Sequence, residues 1–560
     1  MNNIVNHYLI KLVLTCCFSI LYISASLTFG QTWEEQPGEI EEAEVVIEKN
    51  IKIVLPFAAR NFEKIPPQPV SIRPGALTYS FASFLPVIQP INPRLRVVTI
   101  SDEEISKLYG GYLKAGFGNY TSPLLNAYIF TKRNEKFSLG AFGNYLSSFR
   151  GPVDKKNSAS SDLNLGVTGS IHGEDVFLRS EIDYSRLGRY FYGYQDGLLV
   201  DRDTIQQIIN RFNVRLNLSG ELSTTPWLYN LGAGYRYIGD EYDATENEAR
   251  ISGGLGYKLD ADGKIVLDAE YMNLGRSDNL IDGLNRNLLQ IAPAYHFTYN
   301  KIQILAGINM TVENDTIKGL NKFHLYPDIN ATFNISGSLS LYGGINGKIN
   351  VRSLDYWLQE NPFLNENTPI FHSNQNLEVY GGLYGQLVNP LGFQLGASIA
   401  SVKNMSYLVN DSQDISRFTL VYDSMKTSIA NVFGQLSLQK EQARIWFRGD
   451  YWGYNTGAVQ EAWHLPSFEI TAGTKINIYE KIMVSGNFKS LFGIKAYDPV
   501  SQLSIDLDPV LKLDIEVEYL LSKIAGIFVQ ANNVISSPNE AYFRYPSRGF
   551  QVIGGLTFSF

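Results

Sequence analysis

Residues Gly549 to Phe560 read GFQVIGGLTFSF, and the alternation in that run decides the fold. Strand side chains repeat every two residues. Phe550, Val552, Leu556, Phe558 and Phe560 therefore share one face, opposite Gln551, Gly555, Thr557 and Ser559. An apolar face that runs to a terminal phenylalanine suits a strand closing a barrel in lipid, with Phe558 and Phe560 as its C-terminal signal. A soluble sandwich is able to end on such a strand too, so the rest of the chain has to separate the two.

Three other segments do so. In Arg211 to Leu222 (RFNVRLNLSGEL), Phe212, Val214, Leu216 and Leu218 oppose Arg211, Asn213, Arg215 and Asn217. In Leu511 to Tyr519, Leu511, Leu513, Ile515, Val517 and Tyr519 oppose Lys512, Asp514, Glu516 and Glu518. In Ala443 to Tyr451, Ile445, Phe447 and Tyr451 oppose Arg444, Arg448 and Asp450. Rows of charge behind an apolar face need water on the inner side, because a dry core would leave them unpaired at several kcal/mol each. A wide barrel with a wet lumen supplies that water. These charged residues are the candidate lumen-facing set.

Composition fits. Hydrophobic residues make up 44% of the 560, yet after the first thirty residues there is no run of about twenty apolar residues able to cross a bilayer as a helix. Spanning falls to strands. The 34 tyrosines and 31 phenylalanines suit interfacial girdles, and a net charge of −8 argues against a nucleic-acid partner.

The connections alternate in length. Short turns are expected at Arg133 to Glu135, Gly173 to Asp175, Ser223 to Pro226, Asp260 to Gly263, Asn300 and Lys301, Ile335 to Gly337, Asn389 to Gly392, Lys440 to Gln442 and Tyr479 to Lys481. Longer ones intervene, including Arg186 to Ile209, Gly275 to Asn285, Ser353 to Ser373, Met405 to Met425 and Lys495 to Asp508. This predicts an all-β fold: a large antiparallel transmembrane barrel of about 22 strands over residues 108–560, with both chain ends in the periplasm. Pro293 and Pro327 lie inside predicted strands, where their missing donor predicts bulges.

Ahead of the barrel the chain differs in kind. Residues 1–30 read as an export signal, with a polar start, a mostly apolar stretch from Leu12 to Phe29, and small residues at Ser26 and Gly30 for cleavage. Both cysteines, Cys16 and Cys17, fall inside it. Residues 31–107 open acidic, turn proline-rich from Pro66 to Pro93, and are expected to form a periplasmic or lumenal segment. Within it, Phe57 to Pro93 is a candidate reduced plug.

Three sequence motifs carry a resemblance: LYGGYLKAGFGNY from Leu108, NPFL at Asn361 to Leu364, and the closing LTFSF. On these the barrel resembles the TonB-dependent receptor-like β-barrel proteins of Gram-negative outer membranes. The resemblance implies an outer-membrane location, insertion into lipid by the barrel assembly machinery, and uptake of bulky nutrients energised by a TonB-type inner-membrane partner. That partner engages an N-terminal box, for which Glu44, Val45, Val46 and Ile47 are the candidates. The chain departs from the family in having no stretch long enough for the usual plug.

Enzymatic chemistry is not expected. His172, His296, His324, His372 and His464 lack metal-pair spacing, no G-x-S-x-G elbow is present, and no cofactor is implied. The candidate ligand contacts lie in long loops: Tyr190, Tyr192 and Tyr194 in one, Tyr356, Trp357 and Phe363 in another, whose flat faces suit a sugar ring or an apolar ligand. Packing of the loops against one another is the competing reading. Function stays open among uptake of a bulky solute, a scaffold in an outer-membrane complex, and a passive channel.

Overall fold

The computed structural model describes residues 109–560 apart from 133, 135, 222–224, 260–262, 316–321 and 537–538. The expected signal, the N-terminal segment with its plug candidate, and Glu44 to Ile47 lie outside the described residues.

The alternation builds a 22-stranded antiparallel sheet that closes on itself. Each strand pairs with the next along the chain, and the first, Gly111–Gly118, pairs with the last, Gln551–Ser559, in the register Tyr112 opposite Ser559 through Gly118 opposite Ile553. Closure is completed by Phe560, whose carbonyl accepts from the Gly110 and Gly111 amides at 2.9 Å each and whose amide donates to the Gly111 carbonyl at 3.0 Å. The close fit at the seam uses a glycine: a Cβ on Gly111 would stand 2.3 Å from the Phe560 ring, which would have to turn away. Similar contacts recur inside the wall, where the Phe142 ring covers Gly166 and the Trp446 indole covers Gly473, each the directly opposed residue on the neighbouring strand. An aromatic over a glycine restores the packing that a bare backbone lacks.

Both faces follow the alternation. Leu556, Phe558 and Phe560 are exposed on the outside, and so are Phe212, Leu216, Ile445, Tyr451, Val517 and Tyr519. Inward-facing Gln551 is buried and donates to Ser122 and Ser148 at 2.7 and 3.0 Å, while Thr557 donates to Glu518. An outer wall of exposed aliphatic and aromatic side chains facing water would be an unmanageable apolar surface; in a bilayer it is the ordinary outer wall of a spanning barrel.

Among the described residues, strands are joined by short turns at or within a residue or two of those expected around Gly173, Asn300, Gly337, Asn389, Glu441 and Tyr479, and Asn300 takes a left-handed φ of 56° that asparagine tolerates. The turns expected at Arg133 to Glu135, Ser223 to Pro226 and Asp260 to Gly263 include residues outside the described ones. The proline expectation is corrected. The ladder through Pro293 keeps one register, opposite Leu267 on one side and resuming at Ala294 opposite Gly307 on the other, and Pro327 stays opposite Ile308 without a shift. Neither position has a bulge, because each proline sits where pairing to one neighbour lapses and no donor is needed. The register shifts fall instead at Asn334/Ser336, Asn346/Lys348, Gln375/Leu377 and Gln386/Val388.

Opposite the short turns, the long connections carry structure of their own. They hold the helix Leu354–Glu360 (α1) and three small hairpins, Ser406–Asn410 with Phe418–Tyr422, Lys495–Asp498 with Leu503–Asp506, and Glu540–Tyr542 with Tyr545–Pro546.

Candidate functional site

Connections that leave the wall on opposite sides of the ring meet in one buried core. It joins Tyr190 at the end of the fifth strand, Phe191 and Ile205 from the connection after it, Leu354, Trp357, Phe363 and Leu364 from the residues 351–372 connection, Leu408, Phe418 and Leu420 from residues 404–425, and Tyr545 from the last connection. Chains that start on opposing walls and touch have to cross the mouth of the barrel. The result is a lid.

At its centre the rings of Phe363 and Tyr545 stack with centroids 3.9 Å apart, Tyr192 meets Phe363 at 5.6 Å and Tyr545 at 4.7 Å, and Phe418 lies 5.7 Å from Tyr545. Backbone bonds add to this: the Phe418 amide donates to the Phe363 carbonyl at 2.9 Å and the Asn365 amide to the Phe418 carbonyl at 2.7 Å. The NPFL motif sits at this junction, with Asn361 fully buried and its side-chain oxygen accepting from the Phe363 amide at 2.8 Å. Arg417 lies over the rings of Tyr242 and Phe191 at 4.2 and 4.5 Å and pairs with Glu366. Burial pushes the Tyr192 hydroxyl up to about 12, so it stays a neutral donor.

The lid is fastened to the inner wall by charge. Ser353 caps α1 by accepting from the Tyr356 amide at 3.0 Å, which turns the Leu354 amide toward Glu246 of the wall at 2.8 Å. Asp355 pairs with Arg211 and, at 3.0 Å, with Arg236. Arg286, whose side chain is 0% exposed, pairs with Glu246 at 3.1 Å and donates to the carbonyls of Arg352 and Ile370 at 3.0 and 3.1 Å; Arg276 donates to the Glu366 carbonyl at 2.9 Å. Buried guanidiniums tied to both carboxylates and loop carbonyls hold a loop tightly, because losing one partner strands the charge.

Two histidines complete the lid. His464 accepts through Nε2 from the Phe543 amide at 3.3 Å and donates through Nδ1 to the Leu408 carbonyl at 2.8 Å, the pattern of a neutral ring joining three connections. Burial lowers its pKa to about 4. His372 accepts through Nδ1 from the Arg352 amide at 3.1 Å, and burial, then the Arg286 charge, lowers it to about 3.

Below the lid the lumen is lined by paired charge. Arg215 pairs with Glu181 at 2.8 Å and Asp183 at 3.1 Å, Arg448 with Asp450 at 2.7 Å, Lys512 with Asp514 at 3.2 Å, and Glu516 with Lys114 at 2.6 Å. Arg444 lies on the same inward face, opposite Lys475. A cavity of about 550 Å³ under α1 is bordered by Asp355, Gln359, Arg211, Arg215 and Arg236 on one side and by the in-register asparagines Asn126, Asn144 and Asn164 on the other.

Of the loop aromatics singled out from the sequence, Tyr190, Trp357 and Phe363 are buried in the lid core, and Tyr192, Tyr194 and Tyr356 pack half-buried against it. Sequence reasoning missed Asp355, Arg236, Arg276, Arg286, Phe418, His464 and Tyr545. Only Ser353 ahead of Asp355 offered a signal, as an N-cap followed by an acidic first turn.

No protein-family model matches the chain, and no curated protein matches it by sequence. Solved structures do match. The siderophore receptor PirA from Acinetobacter baumannii superposes with a TM-score of 0.62 at 12% identity, over 82% of this chain and 81% of that one. The FrpB iron transporter from Neisseria meningitidis gives 0.61 at 10% identity over 81% and 82%, and the ferric-catecholate import receptor Fiu from E. coli K12, in a closed form, gives 0.60 at 8% identity over 81% and 82%. At such identities the likeness establishes the fold: this barrel is built as the barrels of iron and siderophore receptors are.

Proposed function

We propose that this chain is a receptor of the TonB-dependent type in the outer membrane of a Gram-negative bacterium, taking up a bulky solute through a barrel gated by its own loops. The observation that carries the reading is the lid: a 22-stranded barrel is wide enough for a large solute, and a packed core across its mouth makes passage conditional. A passive channel fits less well, since it works with its mouth open. Likeness in fold to an iron transporter and to siderophore receptors supports uptake as the class of activity, with the solute still to be named. On this reading Tyr192, Tyr194 and Tyr356 present half-buried ring faces to the solute when the lid opens. Glu44 to Ile47 contact the energising partner, and Phe57 to Pro93 fill the lumen.

The density of buried charge fastening the lid favours a second reading, a non-transporting scaffold with a permanently closed mouth. Cross-linking in native membranes followed by pull-down separates the two. Uptake predicts capture of an inner-membrane-anchored periplasmic partner, lost when Glu44 to Ile47 are replaced by a Gly-Ser stretch. A scaffold predicts stable outer-membrane or periplasmic companions whose capture is indifferent to that replacement, and that result would overturn the uptake reading.

A further inference from the structure

Asp355 is the one carboxylate that α1 brings to the inner wall, and it arrives on a part of the chain that is not barrel. Its side chain is 4% exposed and is shared by two guanidiniums from adjacent strands, Arg211 of Gln206–Glu221 and Arg236 of Trp227–Gly239. Both arginines border the 550 Å³ cavity, and Arg215, four residues beyond Arg211 on the same strand, is half exposed toward it.

The wall satisfies the two guanidiniums unequally. Arg236 is held by Glu248 at 2.9 Å and donates to Asn213 at 2.8 Å, while among the described residues of the wall Arg211 has a single side-chain contact, at 3.4 Å to the Ser185 hydroxyl. Lifting α1 would remove the Asp355 carboxylate from both guanidinium forks at once, leaving Arg211 without a carboxylate among the described residues and Arg236 with Glu248 alone, at the edge of a polar cavity. Such forks match carboxylate and phosphate oxygens.

We propose that Arg211 and Arg236 form an anion subsite, that Asp355 is its built-in occupant, and that a carboxylate- or phosphate-bearing solute takes the place of Asp355 when the lid opens. The inference rests on the uptake reading and names the chemical class of its solute. Lid docking and solute binding then compete for one site, so each weakens the other by the same factor. The solute holds the lid open by occupying its latch.

The test uses the full chain in lipid nanodiscs, with citrate and inorganic phosphate as probes in calorimetric titrations. Asp355→Asn keeps the shape of the side chain and removes its charge; it is expected to tighten binding of citrate, phosphate or both on the order of tenfold over the unaltered protein. Adding Arg211→Gln and Arg236→Gln to it is expected to abolish that gain, with heat-modifiable migration on gels confirming that each variant remains a folded barrel. Which probe responds decides between a carboxylate and a phosphate ligand. Binding of both probes unchanged in Asp355→Asn, or a gain that survives loss of both arginines, would overturn the proposal. Either failure would leave uptake of an uncharged solute standing, because that reading is tested on the periplasmic partner.

Discussion

The ring of Phe363, on the connection between the thirteenth and fourteenth strands, stacks on the ring of Tyr545, on the connection that precedes the last strand, at 3.9 Å and 26°. The Tyr545 hydroxyl donates to the Ser416 carbonyl of a third connection. One side chain thus joins three connections over the lumen.

Tyr545→Ala is therefore expected to loosen the lid while sparing the barrel. Loss of a buried aromatic costs about 3 kcal/mol or more. Cleavage by added trypsin after Arg417, half-buried over the rings of Phe191 and Tyr242, should accelerate on the order of a hundredfold if it tracks the open population. Heat-modifiable migration should be unchanged. Cleavage at the unaltered rate would mean that the aromatic stack does not hold the lid.

Gly111→Ala places a methyl group against the Phe560 ring at the seam of the barrel. Closure should suffer, seen as a smaller heat-modifiable fraction in membranes. Combining it with Phe560→Leu, which removes the ring, should restore much of that fraction. A single variant that assembles normally would show that the seam tolerates the overlap.

Acid should open the lid, and the sign follows from His464. Its folded pKa of about 4 lies below the ordinary imidazole value of about 6.5, so the neutral ring contributes fully above pH ~6.5 and the contribution fades as pH falls toward 4. The loss reaches about 3 kcal/mol for a ring so deeply buried. Protonation turns Nε2 into a donor facing the Phe543 amide, itself a donor. Emission from the buried Trp463 and Trp357 should shift to longer wavelength between pH 7 and 4, and His464→Gln should flatten the shift. A shift of unchanged size in that variant would assign the acid response to other groups, with His372 the next to test.

Two closures in series make a distinct forecast for conductance in planar bilayers. With the lid intact, deleting residues 57–93 should leave conductance low. Replacing residues 354–371 by a short Gly-Ser link should also leave it low if the N-terminal segment fills the lumen, and only the double change should open a large conductance. A large conductance from the lid change alone would remove the plug from the proposal.

The barrel wall was legible because its rule is local. Arg211, Arg215, Asp450 and Glu516 each face inward for the same reason that their neighbours face lipid, and a period of two needs no knowledge of the rest of the chain. The lid was not legible, because its contacts join residues such as Tyr192 and Tyr545 that lie far apart in sequence and are placed together only by the closed ring. Tyrosines at 190, 192 and 194 look alike whether they face a ligand or one another. Asp355 was hidden for a related reason: its partners are on strands that no alternation in its own connection identifies. The prolines depart from expectation because a missing donor does not by itself require an extra residue: Pro293 sits where the ladder to one neighbour lapses.

Hydrogen exchange at the amides of Asn365 and Phe418, measured in nanodiscs at neutral pH, tests the lid most directly. Both donate across the junction between two connections, so they should exchange as slowly as amides of the barrel wall. Exchange within seconds, at the rate of open loops, would contradict a packed core over the mouth.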